Sequence, residues 1–140
     1  MKDISKPKKY SGILVVHQDK CLLCKRNKLG TRPSEWSVPG GNIEKDESAI
    51  EAAYREFYEE TNINIDSEIN YVASLLRTNR DATKVKGKMF LFLHESPIEL
   101  TPDLINAKDG EEHTECKYFT KEMLPTPISN NLSKIIQIIL

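Results

Sequence analysis

No apolar run in this chain is long enough to cross a bilayer; the longest, Ile138 to Leu140, extends back only to Ile135 and includes a Gln. No hydrophobic segment follows the basic Lys6, Lys8 and Lys9, so neither a signal peptide nor a membrane partner is expected. Neither sign of charge prevails. With a net charge of −1, the chain lacks the strong footprint of a nucleic-acid binder, and the three lysines read as a solubilising tail. Cysteine is sparse as well: Cys21, Cys24 and Cys116 cannot build a paired framework, which fits a reducing, cytoplasmic setting. The C-x-x-C at Cys21 and Cys24 is a weak zinc signal. Residues three apart on a strand point to opposite faces, no second C-x-x-C exists, and zinc would need His113 and Cys116 to converge on the pair. Repeats, low-complexity tracts and linkers are absent too.

What is present is ordinary for a soluble globular chain: 140 residues, 39% hydrophobic and 29% charged. That length suits one core, read here as a single domain over residues 10–140 behind a flexible tail at 1–9. Ser11 to His17 reads as a buried strand, turning through Gln18-Asp19-Lys20 into a second strand, Cys21 to Arg26. Asn27 to Ser34 is a loop, and Trp36-Ser37-Val38 a short strand in which Trp36 anchors the core rather than stacking on a base. Further strands are expected at Asn70 to Leu76, Lys88 to His94 and Lys117 to Phe119. Between them, Thr78 to Gly87 reads as a mobile polar segment and Ala107 to His113 as a charged loop. A turn of helix at Thr120 to Leu124 ends at Pro125. Ser129 or Asn130 then caps a last helix, Leu132 to Leu140, with Ile135, Ile136, Ile138 and Ile139 buried. By itself this pattern supports a small α/β domain.

The stretch Gly40 to Ile63, GGNIEKDESAIEAAYREFYEETNI, carries six Glu in 24 residues. With Asp46 as N-cap, a helix is expected to run to Thr61, its core stripe made of Ile50, Ala53, Tyr54 and Phe57. Glu56, Glu59 and Glu60 then project from another sector about 100° wide, with small Ala49 and Ala52 between them. Like charges at these spacings cost roughly 0.2–0.5 kcal/mol per pair, and the last helical turn prefers cations. A hard divalent cation would turn that repulsion into coordination, with waters and substrate phosphates completing its shell. A solvated acidic face is the plainer reading of an isolated EFYEE.

The context favours chemistry. Pro39-Gly40-Gly41 lets backbone turn sharply before the helix, and Arg55 is placed to pair with Glu47. The fixed pattern is Gly41, five residues, Glu47, seven residues, Arg55-Glu56-Phe57, one residue, Glu59-Glu60, one residue, Asn62, Ile63. It resembles the box of the Nudix (MutT-like) hydrolases at every fixed position except Asn62, where that family has Gly. A left-handed residue is needed there to stop the helix, and Asn is the next most tolerant after Gly.

The resemblance implies an α/β/α sandwich, with a mixed β-sheet between helices, over roughly residues 10–140. It implies hydrolysis of a nucleoside diphosphate linked to a further group, with Mg²⁺ or, in substitution, Mn²⁺. On that pattern Glu56, Glu59 and Glu60 are metal ligands or the base, the Gly40 carbonyl is a further ligand, and Gly41, Glu47 and Arg55 are structural. Glu44 would act behind the ligands. The base is Glu56 or a Glu from a late loop; of Glu111, Glu112 and Glu115 we choose Glu112 as that second candidate, which would also be a ligand. Rigidity of the helix favours Glu56. Arg26, at the end of the second strand, is expected on substrate phosphate, and Asn130 either reads a base or caps a helix. The expected partner is a small nucleotide, a free (d)NTP or modified nucleotide first. Nucleotide sugars, ADP-ribose, dinucleoside polyphosphates and capped RNA 5′ ends are the other substrates the family implies. A non-catalytic sensor of the same fold and an acidic-helix interaction module are the competing classes. The oligomeric state is open, a homodimer being one option.

Overall fold

Strand β1 (Lys8–His17) runs through the middle of the sheet, and its buried stretch Ser11–Val16 explains why. A continuous apolar segment is stable as a strand only if both of its faces are covered. The computed structural model describes residues 8–27, 32–79, 81 and 83–140. Within them six further strands follow: β2 (Lys20–Arg26), β3 (Trp36–Ser37), β4 (Gly40–Asn42), β5 (Asn70–Thr78), β6 (Val85–Glu95) and β7 (His113–Thr120). Helix α1 (Ala49–Thr61) follows β4, and α2 (Asn130–Ile139) ends the fold. The sheet is mixed, in the order β3-β2-β1-β6-β5, with β4 also on β1 and β7 also on β2.

One edge of β1 pairs in parallel with β6, from Lys8↔Gly87 to Val16↔Glu95. The other edge is divided. Tyr10–Gly12 hold β4, while only Val16 and His17 hold β2 beyond a tight turn with Gln18 at φ 57°. Strand β2 therefore splays away to pair with β7 and β3, and the split leaves a cleft beside β4. Alternation along β1 sorts its side chains between two cores. Leu14 and Val16 join Leu132 and Ile136 of α2; Ile13 and Val15 join Ala53 and Phe57 of α1. This is the expected α/β/α sandwich. Trp36 is core, edge-on to Phe119 at 5.1 Å.

Several expectations need correction. Ser48, not Asp46, caps α1, through a reciprocal pair in which Ser48 Oγ accepts from the Glu51 amide and the Glu51 carboxylate accepts from the Ser48 amide. Asp46 instead takes a left-handed turn at φ 64°. Ile50 is 40% exposed and Tyr54 half-buried, whereas Ala52 is fully buried with Ala53 and Phe57. The helix is rotated because Ala49 and Ala52 allow close approach to β1, where Ser11 Oγ donates to the Ala49 carbonyl at 2.5 Å. In α2, Ser129 is the cap, Leu132 and Ile136 form the buried side, and Ile138 is 79% exposed. The charged Gly110–Glu112 is a 3₁₀ turn, and His113 already opens β7. Lys8 and Lys9, assigned to the tail, are strand; the remainder of that tail lies outside the described residues. Residues 28–31 of the expected Asn27 to Ser34 loop also lie outside them, as do positions 80 and 82 of the polar Thr78 to Gly87 segment, whose ends are strand.

Cys24 and Cys116 are disulfide-bonded, against the expectation of unpaired thiols. The β2–β7 register sets them opposite each other with Cα atoms 4.0 Å apart, a neighbourhood that their separation of 92 residues conceals. Cysteine count is thus no argument for a reducing compartment, and the C-x-x-C is divided: Cys21 is a free buried thiol. No helix among the described residues is long and apolar enough to cross a membrane.

Asn62 ends α1 in the left-handed conformation (φ 63°, ψ 20°), its amide donating to the Tyr58 carbonyl at 2.9 Å. Asn62→Gly should leave stability within a few tenths of a kcal/mol of wild type or raise it, whereas Asn62→Val should lose about 1 kcal/mol or more. Urea unfolding of the two variants checks this, and equal midpoints would contradict it.

Candidate active site

Arg55 is the centre of the acidic helix face. Its Nε donates to Glu47 at 2.7 Å, and its Nη2 to Glu47 at 2.9 Å and to the Asn42 carbonyl at 2.9 Å. Nη1 reaches Glu56 at 3.0 Å and Glu59 at 3.1 Å. One side chain thus ties the loop before α1 to the helix and offsets the repulsion between two of its carboxylates. These contacts raise the Arg55 pKa further above its ordinary value, the Glu47 hydrogen bonds contributing most. Glu47 is held below the usual carboxylate range by the same bonds. Gly41 permits a further close contact. A Cβ there would fall 2.5 Å from the Glu56 carboxyl, so its absence lets β4 lie against that group without displacing it.

Glu60 is 1% exposed. Its Oε1 accepts from the Gly40 amide at 3.3 Å and lies 2.6 Å from His113 Nε2, while Oε2 is buried with no protein partner. Burial, and then the charges of Glu112 and Glu56, push the Glu60 pKa well up. His113 goes the other way, to about 4, through its own burial and the nearby Arg26. Sequence reasoning missed this pair, since the only role it offered His113 was as a zinc ligand. No local periodicity signals it, because the contact joins positions 53 residues apart.

The remaining walls come from the end of the sheet. A cavity of about 580 Å³ is lined by Glu56, Glu60 and Glu112, by Gly40 and Gly41, and by Lys8, Arg26 and Arg77. The turn carrying Glu112 is docked on both sides. The Asp109 amide donates to the Glu59 carbonyl at 2.7 Å, and Asn27 donates to the Glu111 and Glu112 carbonyls, each at 2.8 Å. Glu112 is therefore no mobile lid residue. Burial raises its pKa most; the neighbouring Glu60 carboxyl and, less so, Arg26 oppose that, while the charges of Asp109 and Glu56 add to it.

The structure thus brings together Glu56, Glu60, Glu112, Gly40 and Arg26. Glu59 is held at the margin by Arg55 and by Lys108 at 3.7 Å. Glu44 lies 3.7 Å from Arg55. Glu115 faces Lys117 on β7 at 3.5 Å, away from the group. Asn130 stands apart from the carboxylates, on a second cavity of about 380 Å³ that shares Arg77 and Met89 with the first. Among the described residues no three His, Cys, Asp or Glu side chains stand ready as a metal cage; Arg55 engages Glu56 and Glu59, and His113 engages Glu60. The donors nonetheless suit a hard cation: clustered carboxylates, one buried oxygen without a partner, and the β4 backbone at Gly40.

Comparison with known proteins is consistent with this geometry. The family model described as NUDIX domain matches residues 6–137. A stretch of 64 residues, 46% of this chain, is 39% identical to mRNA decapping complex subunit 2 of Schizosaccharomyces pombe. Another of 32 residues, 23% of the chain, is 53% identical to an RNA pyrophosphohydrolase of Bartonella tribocorum. The matches span only 8% and 18% of those relatives' lengths. In fold, the chain is similar to a MutT NUDIX hydrolase from Burkholderia pseudomallei, with TM-score 0.80, 19% identity, and coverage of 96% of this chain and 99% of that one.

The Glu47–Arg55 bond has a pH signature. Because the folded pKa of Glu47 is depressed, its stabilisation is present above the unfolded value near 4.5 and is lost as pH falls through the lower folded value. Glu47→Gln should cost about 1 kcal/mol at neutral pH. The gap in Tm from wild type should close as the pH drops below that range, and a gap independent of pH would contradict the assignment.

Proposed function

This chain belongs to the NUDIX domain family, and from that premise we propose that it is a pyrophosphohydrolase of the MutT-like kind that cleaves the diphosphate linkage of a free nucleoside di- or triphosphate, ordinary or modified. The observation that carries this reading is one cavity lined both by the carboxylates Glu56, Glu60 and Glu112 and by the cations Lys8, Arg26 and Arg77. Its volume of about 580 Å³ is in the range that takes a small nucleotide. Arg26 offers its guanidinium to a phosphate, and Asn130 in the adjoining cavity is the candidate contact for the base.

Glu56, Glu60 and Glu112, with the Gly40 carbonyl and Glu59 beside them, would hold Mg²⁺ or Mn²⁺. When bound, such a cation neutralises phosphate charge and makes water a stronger acid. The chain supplies the rest. Glu60, held by Gly40 and His113, presents its free Oε2 in a fixed direction. Two carboxylates are placed to accept the proton of the attacking water. Glu56 is tied to Arg55 at 3.0 Å, whereas burial pushes the Glu112 carboxyl above its ordinary value. The docked turn also gives Glu112 the rigidity that sequence reasoning credited to the helix alone. These two points favour Glu112 as the proton acceptor and Glu56 as a ligand.

Turnover of a nucleotide panel, followed by the phosphorus products formed, tests the activity. It should stop with excess chelator, and full turnover in EDTA would refute the reading. Glu112→Gln should lower kcat by about two orders of magnitude or more at every Mg²⁺ concentration. Glu56→Gln should be partly rescued by high Mg²⁺. The reverse pattern would make Glu56 the base.

A further inference from the structure

Arg77 occupies a row of the sheet that otherwise builds core. Leu75, on the same face of β5, packs against the α2-side cluster. Arg77 stands opposite Gly87 on β6, and Gly87 opposite Lys8 on β1. A Cβ on Gly87 would come within 2.7 Å of the Tyr10 ring, so the missing side chain makes room for that ring. The guanidinium stacks on it, with Cζ 5.2 Å from the centroid. Among the described residues this guanidinium has no hydrogen bond and no ion pair. Burial, and then the like charges of Arg26 and Arg32, lower its pKa; Glu35 offsets them only in part and is itself 3.6 Å from Arg32. A desolvated, unneutralised cation is unfavourable in the free protein, and its donors lie on the wall common to both cavities.

We propose that Arg77 is a specificity-determining residue that takes an anionic group beyond the scissile diphosphate, so that the substrate class is a nucleotide with three or more consecutive phosphates. This rests on the pyrophosphohydrolase reading above and narrows it. Cations held on the carboxylate wall would balance the scissile diphosphate itself. A nucleotide sugar or ADP-ribose continues beyond it as a neutral sugar, which would leave Lys8, Arg26 and Arg77 unmatched. A third phosphate brings the missing charge and the paired oxygens that a guanidinium fork binds best.

The test is a calorimetric titration, in Mg²⁺, of inorganic tripolyphosphate and inorganic pyrophosphate into wild type, Arg77→Met and Arg77→Lys. Wild type should prefer tripolyphosphate, Arg77→Met should lose about tenfold of that preference, and Arg77→Lys should keep part of it. In turnover, the ratio of kcat/KM on ATP to that on ADP-ribose should fall about as much in Arg77→Met, chiefly through KM. The Tm of Arg77→Met should equal or exceed that of wild type, because the cation it removes is unneutralised. A Tm clearly below wild type would overturn this account of Arg77. So would an unchanged preference, an equal loss for both anions, or weakened adenosine binding with tripolyphosphate binding intact, which would assign Arg77 to the base. If wild type hydrolyses none of ATP, GTP, CTP, UTP and ADP-ribose, the pyrophosphohydrolase reading falls instead, while the tripolyphosphate titration still decides the role of Arg77.

Discussion

The guanidinium of Arg55 is the constraint on which the rest of the site depends. A helix that ends in Glu56, Glu59 and Glu60 opposes its own dipole and its own charges. Arg55 makes that arrangement tolerable by bonding Glu56 and Glu59 at once. Through Glu47 and the Asn42 carbonyl it also fastens the segment entering the helix. The glycines of β4 are thereby held against the carboxylates, and Gly41 has no side chain to keep Glu56 away. Arg alone among side chains supplies enough donors in one rigid plane for this.

A second constraint works by exclusion of water. Glu60 is buried against His113 and the Gly40 amide, with one oxygen left over. An unmatched polar atom of this kind costs free energy in a packed interior. The cavity's cations repeat the logic with reversed sign, since the like charge of Arg26 acts against that of buried Arg77. Acidic and basic groups thus line one cavity, Glu56, Glu60 and Glu112 together with Lys8, Arg26 and Arg77.

The packing of α1 shows how small residues steer function. The apolar stripe read from periodicity included Ile50, yet Ile50 faces solvent. Close approach to β1 outweighs side-chain size, and Ala49, Ala52 and Ala53 permit it. The rotation carries Glu56 and Glu60 from an apparently solvated sector to the margin of the sheet. Burial of Glu60 follows from this docking, as does the contact between Asp109 and the end of the helix.

The motif Gly41 to Ile63, the left-handed stop at Asn62, the Glu47–Arg55 pair and the two-sided sheet were all legible in the amino-acid order. They depend on local spacing and on periodicities of 2 and 3.6, which a linear chain displays directly. Sequence reasoning places the N-cap at Asp46, and only the backbone conformation shows that Ser48 makes the capping bonds. What only the tertiary structure decided is every meeting of distant segments: Glu60 with His113, Cys24 with Cys116, the Glu112 turn with both α1 and β2, and Arg77 with Tyr10. Strand register and helix rotation bring these groups together. Both are set by how the whole core packs, a collective property that no stretch of the chain contains by itself.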